Sequence, residues 1–385
     1  MKIALITYNA DPARGGAERY TVDLARALAG RGYDVALLHA TSATGEKFPG
    51  VTYIHAKAGG LSRAGRHGNF LHAIDRRLEA EHFDIVHAML PVHRCDIYQP
   101  HAGFAFEAFA SAHLTRKSGL AHRMSRLGNR LNPKRRLYAD VEHNLLTSIP
   151  APTVICLSKT MKREAVSHFH FDPENLTVIP NAVDLKRYDP AAHPQAGTEF
   201  RAKFGIMPAK KIGLFLGQDF VRKGLAETLH AMAGLNDPSF VLLVAGRDDP
   251  APFKRLAGTL GVSQNVIFAG ATGDPYPFYA AADVVLFPSR FDPFGLVPAE
   301  AVAMGVPPIV SSHAGVSELL DHDHNALIVE EPSQIGSLAA AMRYALEPAT
   351  HERLARGCMK TRVEFSYEKH LNAVIDLYAA RQRRR

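Results

Sequence analysis

Two carboxylates, Asp292 and Glu300, stand eight residues apart in the stretch Arg290–Ala303, RFDPFGLVPAEAVA. A Phe-Gly turn, Phe294-Gly295, lies between them, and the second acid falls on a segment that reads as a helix. That helix is expected to open at about Leu296 or Val297, because Pro298 in a first turn forfeits no hydrogen bond. It is expected to end near Gly305, ahead of a strand in the apolar run Pro308–Val310. A helix start offers unpaired N–H groups and positive dipole character, which suit an anion. One segment is thus equipped to hold a diphosphate on backbone N–H groups and a polyol on two carboxylates. A nucleotide sugar has both parts. The ordinary alternative is a pair of solvated helix-end charges. The flanking FGL, PAEA and GVPPIVSS elements argue against it.

A second candidate is Gly217–Gly224, GQDFVRKG, between an apolar strand pattern and a helical one. Arg222 supplies a planar fork and Lys223 a mobile point charge, and together they can clamp a diphosphate. A solvated basic loop is the plainer reading. A third candidate, Arg14–Arg19 (RGGAER), follows the first strand; its Gly15 and Gly16 allow close backbone approach to a ligand. It is not GxGxxG, so a dinucleotide is not indicated. His101 lies in IYQPHAG, with His87 and His93 as nearby competitors in a chain of 20 histidines. Asp321, His322, Asp323 and His324 are metal ligands by type but read as a solvent-facing turn. Asp248-Asp249 lacks the third element of a metal-binding DxD triplet, and no metal or cofactor is expected.

These motifs give the chain its resemblance. The acidic-x7-acidic segment resembles that of the family 4 glycosyltransferases, retaining enzymes of the GT-B fold. The family usually has Glu at the first position, where this chain has the shorter Asp292. DIYQPHAG, GQDFVRKG and a basic insert are similar, more narrowly, to the lipopolysaccharide core glucosyltransferases. The resemblance implies hexosyl transfer from a nucleoside diphosphate sugar, UDP-glucose, to a lipopolysaccharide core heptose or related glycolipid. It implies a metal-independent reaction in a cleft between two Rossmann-like α/β domains. Arg222, Lys223 and the N–H groups near Phe294, Gly295 and Leu296 would hold the diphosphate. Glu300 would hold the ribose and Asp292 a donor-sugar hydroxyl, while His101 contacts the transferred sugar. Gly15 and Gly16 would face the donor phosphate and acceptor. Arg247, in the loop Gly246-Arg247, would border the base, as would Gly270–Pro275. Another family 4 acceptor, or a GT-B-like sugar-nucleotide epimerase, is the competing enzymatic reading; a non-catalytic binding protein is the third.

Residues Ala108–Ala139 hold no Asp or Glu but carry Arg116, Lys117, Arg123, Arg126, Arg130, Lys134, Arg135 and Arg136. Leu114, Leu120, Met124, Leu127 and Leu131 recur among them at helical spacing. A basic amphipathic helix reads as binding an anionic membrane surface, or else the phosphates of an acceptor. Nucleic acid is disfavoured, since the chain has no Trp and no aromatic ladder runs through these charges. The net charge of +7 is confined to one half: residues 1–182 carry 23 Lys+Arg against 16 Asp+Glu, and the remainder carries 22 of each. An acidic partner is therefore expected on the first half.

The elements that must position these groups follow from the alternation of apolar runs. Lys2–Thr7, a Gly-rich turn, a helix from about Ala17 to Ala29 and Val35–His39 form a βαβ unit. Ile85–Ala88 and Thr153–Leu157 continue it, and the pattern restarts after VIPNAVD with strands at Ile212–Leu216, Phe240–Val244, Val266–Phe268, Val284–Phe287, Ile309–Ser311 and Ala326–Val329. Such alternation predicts parallel sheets covered by helices. The expected division is 1–183, acceptor-binding, and 184–365, nucleotide-sugar-binding, with a last helix, 366–385, returning to the first domain as in GT-B proteins. With 385 residues, two domains are the natural expectation. No apolar stretch is long enough for a membrane span and the start lacks a signal-peptide layout, so a cytoplasmic, peripheral enzyme is expected. Cys95, Cys156 and Cys358 have no paired spacing, which fits a reducing compartment.

Overall fold

A computed structural model describes residues 1–12, 15–41, 47–105, 132–169 and 171–383. The chain divides into two compact units. Unit 1 comprises Met1–Pro180 and His370–Arg385, and unit 2 comprises Asn181–Lys369.

Unit 1 is built on strands β1 (Lys2–Ile6), β2 (Asp34–His39), β3 (Val51–His55), β4 (Ile85–Ala88), β5 (Ile97–Tyr98), β6 (Thr153–Cys156) and β7 (Leu176–Val178). Their order is β3-β2-β1-β4-β5-β6-β7, with every pairing parallel. A parallel sheet is covered on both faces, which explains the continuous apolar runs: Ile3 to Ile6 and Val35 to Leu38 are almost wholly shielded. The sequence pattern does not reveal β3, whose residues stay half-exposed at the sheet edge, or β5, only two residues long.

Unit 2 repeats the plan with β8 (Lys211–Leu216), β9 (Phe240–Ala245), β10 (Val266–Gly270), β11 (Val284–Phe287), β12 (Pro308–Ser311) and β13 (Leu327–Val329), in the order β10-β9-β8-β11-β12-β13. Phe215, Leu225, Leu229, Phe240, Leu242, Leu286 and Met342 form the centre of its core.

In both sheets the strand order reverses beside the first strand, between β1 and β4 and between β8 and β11. Adjacent connections there leave toward opposite faces, so a crevice opens at the carboxyl ends of those strands, where ligands of doubly wound sheets bind. The loops after β1, β8 and β11 are those carrying Gly15-Gly16, Arg222-Lys223 and Asp292.

The last helix, Tyr367–Arg383, buries His370, Leu371, Val374 and Tyr378. From His370 onward it belongs to unit 1, where Tyr378 Oη lies 2.6 Å from His87 Nδ1. Among the described residues, no helix is long and apolar enough to cross a membrane. Arg116, Lys117, Arg123, Arg126 and Arg130 lie outside the described residues. Lys134, Arg135 and Arg136 sit in the first turn of the helix Pro133–Leu146, whose start is capped by Asn132 Oδ1. Lys134 is half-buried over the Tyr138 ring, and burial presses its ammonium pKa down.

Candidate active site

In unit 2 the β8 loop and the β11 loop meet on one carboxylate. Arg222 Nη1 donates to Asp292 Oδ2 at 3.1 Å and to the Phe291 carbonyl at 2.6 Å. Lys223 Nζ reaches the same Oδ2 and lies 4.2 Å from the centroid of the Phe287 ring. Asp219 braces the arginine from the other side, with Oδ2 accepting from Nε at 3.1 Å and Oδ1 from its backbone N–H at 3.2 Å. Asp292 is itself pinned: its backbone N–H donates to the His313 carbonyl and its own carbonyl accepts from Gly315.

Two glycines make this junction possible. Gly224 has φ +85° and precedes the helix Leu225–Leu235; a Cβ there would stand 2.2 Å from the Pro288 carbonyl oxygen. Gly295, at φ +99°, precedes the helix Leu296–Ala303, and a Cβ would press on Phe287 and Val316 at 3.2 Å. Each position lets a loop turn sharply into a helix, with the helix start beside the charged cluster.

Burial works against ionisation of Asp292, but Lys223 and Arg222 outweigh it and hold the carboxyl below the usual carboxylate range. Burial, aided by Arg222, lowers the Lys223 ammonium, and Asp292 opposes that. Asp292 thus offsets part of the burial penalty on the Lys223 ammonium. The two cations also keep donors in hand: Lys223 spends one of three on the carboxylate, and Arg222 Nη2 makes no hydrogen bond to a described residue.

The N–H groups expected to be open near Phe294–Leu296 divide. That of Phe294 donates to Asp292 Oδ1 at 3.2 Å, so it is committed to the carboxylate. No side chain caps the helix start at Leu296. Leu296 and Val297 are followed by Pro298, which has no N–H.

Glu300 lies on the same helix, with both oxygens engaged by phenols. Tyr188 Oη donates to Oε1 at 2.9 Å and Tyr279 Oη to Oε2 at 2.6 Å. The two rings meet edge to face, centroids 5.9 Å apart. Burial, then the Glu300 charge, raises the Tyr279 phenol well above its ordinary value, so it remains a donor. Sequence reasoning misses both tyrosines, and also Arg290 and Glu227, a shielded ion pair beneath the loop whose Arg290 backbone N–H donates to the Arg222 carbonyl. Arg247 follows β9; its neighbour Asp248 accepts from the Phe220 backbone N–H at 2.7 Å, tying that loop to the Arg222 loop. Asp321–His324 do local structural work: Asp323 pairs with Arg353 at 2.8 Å, and His322 Nδ1 accepts from the Ile328 N–H at 3.0 Å.

In unit 1, Gly15 precedes the helix Gly16–Gly30, whose start no side chain caps. His101, three residues past β5, packs against the Tyr20 ring with centroids 4.2 Å apart. Tyr20 Oη lies 3.1 Å from Gln99 Oε1 and 2.8 Å from His370 Nε2. His370 Nδ1 in turn faces the Pro180 carbonyl at 2.7 Å. That contact fixes the proton on Nδ1 and leaves Nε2 facing the phenol, whose single proton serves either Nε2 or Gln99 Oε1. Burial first, then the neighbouring His87 and His370, lowers His101 to about 3, so its imidazole is neutral. Part of the residue reaches the surface, but Nε2 is shut off from solvent and has no hydrogen-bond partner among the described residues. The competitor His87 is a core residue on β4, while His93 sits in an exposed pair with Asp75.

Two doubly wound parallel sheets in series, with a basic pair and two acids at the second switch point, define a sugar-nucleotide transferase of the GT-B type. Family comparison agrees. Residues 14–187 match Glycosyltransferase Family 4 and residues 197–357 match Glycosyl transferases group 1. The chain thus carries a Family 4 domain and a group 1 domain of the GT-B glycosyltransferases. It is similar to the lipopolysaccharide glucosyltransferase WaaG of Escherichia coli K12, with 25% identity over 90% of each chain. It is also similar to a D-inositol 3-phosphate glycosyltransferase of Geodermatophilus obscurus, with 26% identity over 95% of this chain and 85% of the relative. A crystal structure of WaaG, a glycosyltransferase involved in lipopolysaccharide biosynthesis, shares the fold. Its TM-score is 0.84 at 22% identity, covering 98% of this chain and 99% of that one.

Proposed function

We propose that this glycosyltransferase moves glucose from UDP-glucose to a heptose of a lipopolysaccharide core or a related glycolipid, with retention at the anomeric carbon and no metal. The observation that carries the donor half is the junction of Arg222, Lys223 and Asp292 at the β8/β11 switch point. Two cations at a helix start supply the compensating charge that a leaving diphosphate needs, and charge growing in the transition state is where such groups act. A donor sugar hydroxyl takes Asp292 as its acceptor. Glu300, oriented by Tyr188 and Tyr279, takes the ribose hydroxyls. His101, neutral and with no partner for Nε2 among the described residues, hydrogen-bonds the transferred sugar. The acceptor oxygen attacks on the face that the diphosphate leaves, with no protein nucleophile.

The acceptor half rests on the activity of the Escherichia coli relative and on the basic first half of the chain. Lys134, Arg135 and Arg136 occupy a helix N-terminus, where the dipole disfavours cations. Their placement is better explained by an anionic partner, a membrane surface, than by helix stability. The test incubates the protein with labelled UDP-, ADP- and GDP-glucose and three acceptors: heptose-containing core glycolipid, its soluble fragment, and inositol 3-phosphate. Transfer to heptose from UDP-glucose, with an α-linkage by NMR, is expected. Transfer to inositol phosphate alone would move the acceptor to that of the other relative. Conversion of donor without any acceptor into an epimer would replace transfer by epimerisation.

A further inference from the structure

The helix Arg63–Ala80 of unit 1 presents His72 and Asp75 three residues apart, hence on one face. The loop after β4 brings His93 over that face. His93 Nδ1 lies 2.6 Å from Asp75 Oδ2, and His72 Nδ1 lies 3.9 Å from the same oxygen. One ligand atom from each residue falls within 4.8 Å of the other two. The imidazole centroids are 5.8 Å apart and tilted by 43°. Nothing in the transfer chemistry uses these residues.

We infer that His72, Asp75 and His93 form a surface site for one divalent transition-metal ion of the zinc class, bound by two imidazoles, one carboxylate and water. Two nitrogens and one oxygen suit Zn²⁺, Cu²⁺ or Ni²⁺ and do not suit Mg²⁺ or Ca²⁺, which prefer all-oxygen shells. Three protein ligands leave the fourth tetrahedral position to water. With bonds of about 2.0–2.1 Å, tetrahedral ligand atoms stand roughly 3.3 Å apart. The His93–Asp75 contact therefore opens from 2.6 Å by well under an ångström, and the wider separations, 3.9 Å and at most 4.8 Å, close by about 0.6 to 1.5 Å to reach that spacing. These are side-chain adjustments, and His72 and His93 keep 72% and 40% of their side-chain surface exposed, so they have room to rotate.

The loop is already held in place. Arg94 Nη2 donates to the Asp75 carbonyl at 3.4 Å, fixing residue 94 to the same helix turn. The ligands thus arrive from two elements whose separation is set without the metal. Bound metal would join loop to helix, and ligation to the folded state alone raises stability by mass action. No spacing rule reveals the set, because His93 is 18 positions from Asp75 and joins it only through the β4 crossover.

The test titrates the full chain, thiols reduced, with Zn²⁺ against a chromophoric chelator. The parallel proteins are His72→Ala/His93→Ala and Asp75→Asn, with far-UV circular dichroism confirming that each is folded. Because the chain has 20 histidines, the quantity read is the difference in stoichiometry. The parent should bind one equivalent more than the double variant, and Asp75→Asn should bind that equivalent at least tenfold more weakly. Zinc should raise the thermal midpoint of the parent but not of the double variant. Equal stoichiometry in parent and double variant overturns the site, leaving a hydrogen-bonded His93–Asp75 pair. Cobalt substitution adds a spectroscopic check: a thiolate charge-transfer band would assign the ion to neighbouring Cys95 and also overturn the set.

Discussion

Arg222 and Asp292, 70 positions apart in the chain, meet at 3.1 Å with Lys223 closing on the same carboxylate oxygen. The three groups act as a unit, so removing one changes the others. Arg222→Ala and Lys223→Ala should each lower kcat about 10²–10³-fold, with a smaller rise in the donor KM, as expected when a charge-stabilising donor is lost. Lys223→Ala should also lower the thermal midpoint, because it strips a shielded carboxylate of one counter-charge. Near-normal kcat in both variants would remove the pair from the mechanism.

Asp292→Glu adds one methylene between the backbone and the oxygen that Lys223 and Arg222 share. If Asp292 contacts the sugar, the order of preference among UDP-hexoses should change while UDP affinity stays the same. Competition assays across a donor panel read this directly, and an unaltered ranking points Asp292 away from the sugar.

The pH dependence of stability should show two regions. His87 and His101 are lowered to about 3, and His370 to about 4, in each case first by burial. The unfolded chain therefore binds more protons than the native one from about pH 6.5 downward. Stability should fall as pH drops through that range toward 4, by at most ~1.4 kcal/mol per pH unit for each histidine. Asp292, depressed by its cations, contributes fully above the ordinary carboxylate range and loses its contribution only as pH falls through its lowered folded value. Urea denaturation of the parent, His87→Gln and Asp292→Asn between pH 3 and 8 separates the two. A flat parent profile from pH 7 to 4 contradicts the histidine assignment.

Tyr20→Phe keeps the ring that packs on His101 but removes the hydroxyl shared by Gln99 and His370. A kcat loss on the order of tenfold is expected, with the donor KM nearly unchanged, since one buried hydrogen bond is worth about 1 kcal/mol. His101→Ala should lose more. If the two losses were equal, the ring's position would not be what the hydroxyl supplies.

Transfer should persist in excess EDTA, even where chelation strips an ion from His72, Asp75 and His93. Activity lost to EDTA and regained with Mg²⁺ or Mn²⁺ would show that Arg222 and Lys223 do not suffice.

Changing Arg123, Arg126, Arg130 and Lys134 to Ser should release the protein from anionic vesicles at low salt, each charge near such a surface being worth about 1 kcal/mol. Transfer to a soluble, unphosphorylated acceptor should stay nearly intact. Undiminished vesicle binding would point to a structural helix, and lost activity on phosphorylated soluble acceptor alone would point to an acceptor-phosphate site.

The parts of the fold legible in the sequence are those written locally. Arg222 and Lys223 share a loop between β8 and a helix, and Asp292 and Glu300 share one turn-and-helix segment, so a single stretch announces each. Apolar runs such as VALLH and FVLLVA report buried central strands. Tyr188 and Tyr279 leave no signal, because they stand 112 and 21 positions from Glu300 and converge only through tertiary packing. The same holds for Tyr20 and His370, 350 positions apart. The strands that the pattern does not reveal are half-exposed or a few residues long, where periodicity has too little length to register.

His370 and Tyr378 belong to unit 1 but follow all of unit 2 in the chain. During synthesis the first 180 residues therefore emerge with the seats for Val374 and Tyr378 still unfilled. Tyr20 and His87 wait for partners that arrive only after the second sheet has been made. Unit 2, by contrast, is one uninterrupted run and has everything it needs once Lys369 is out. The half that is translated first is thus the last to be completed.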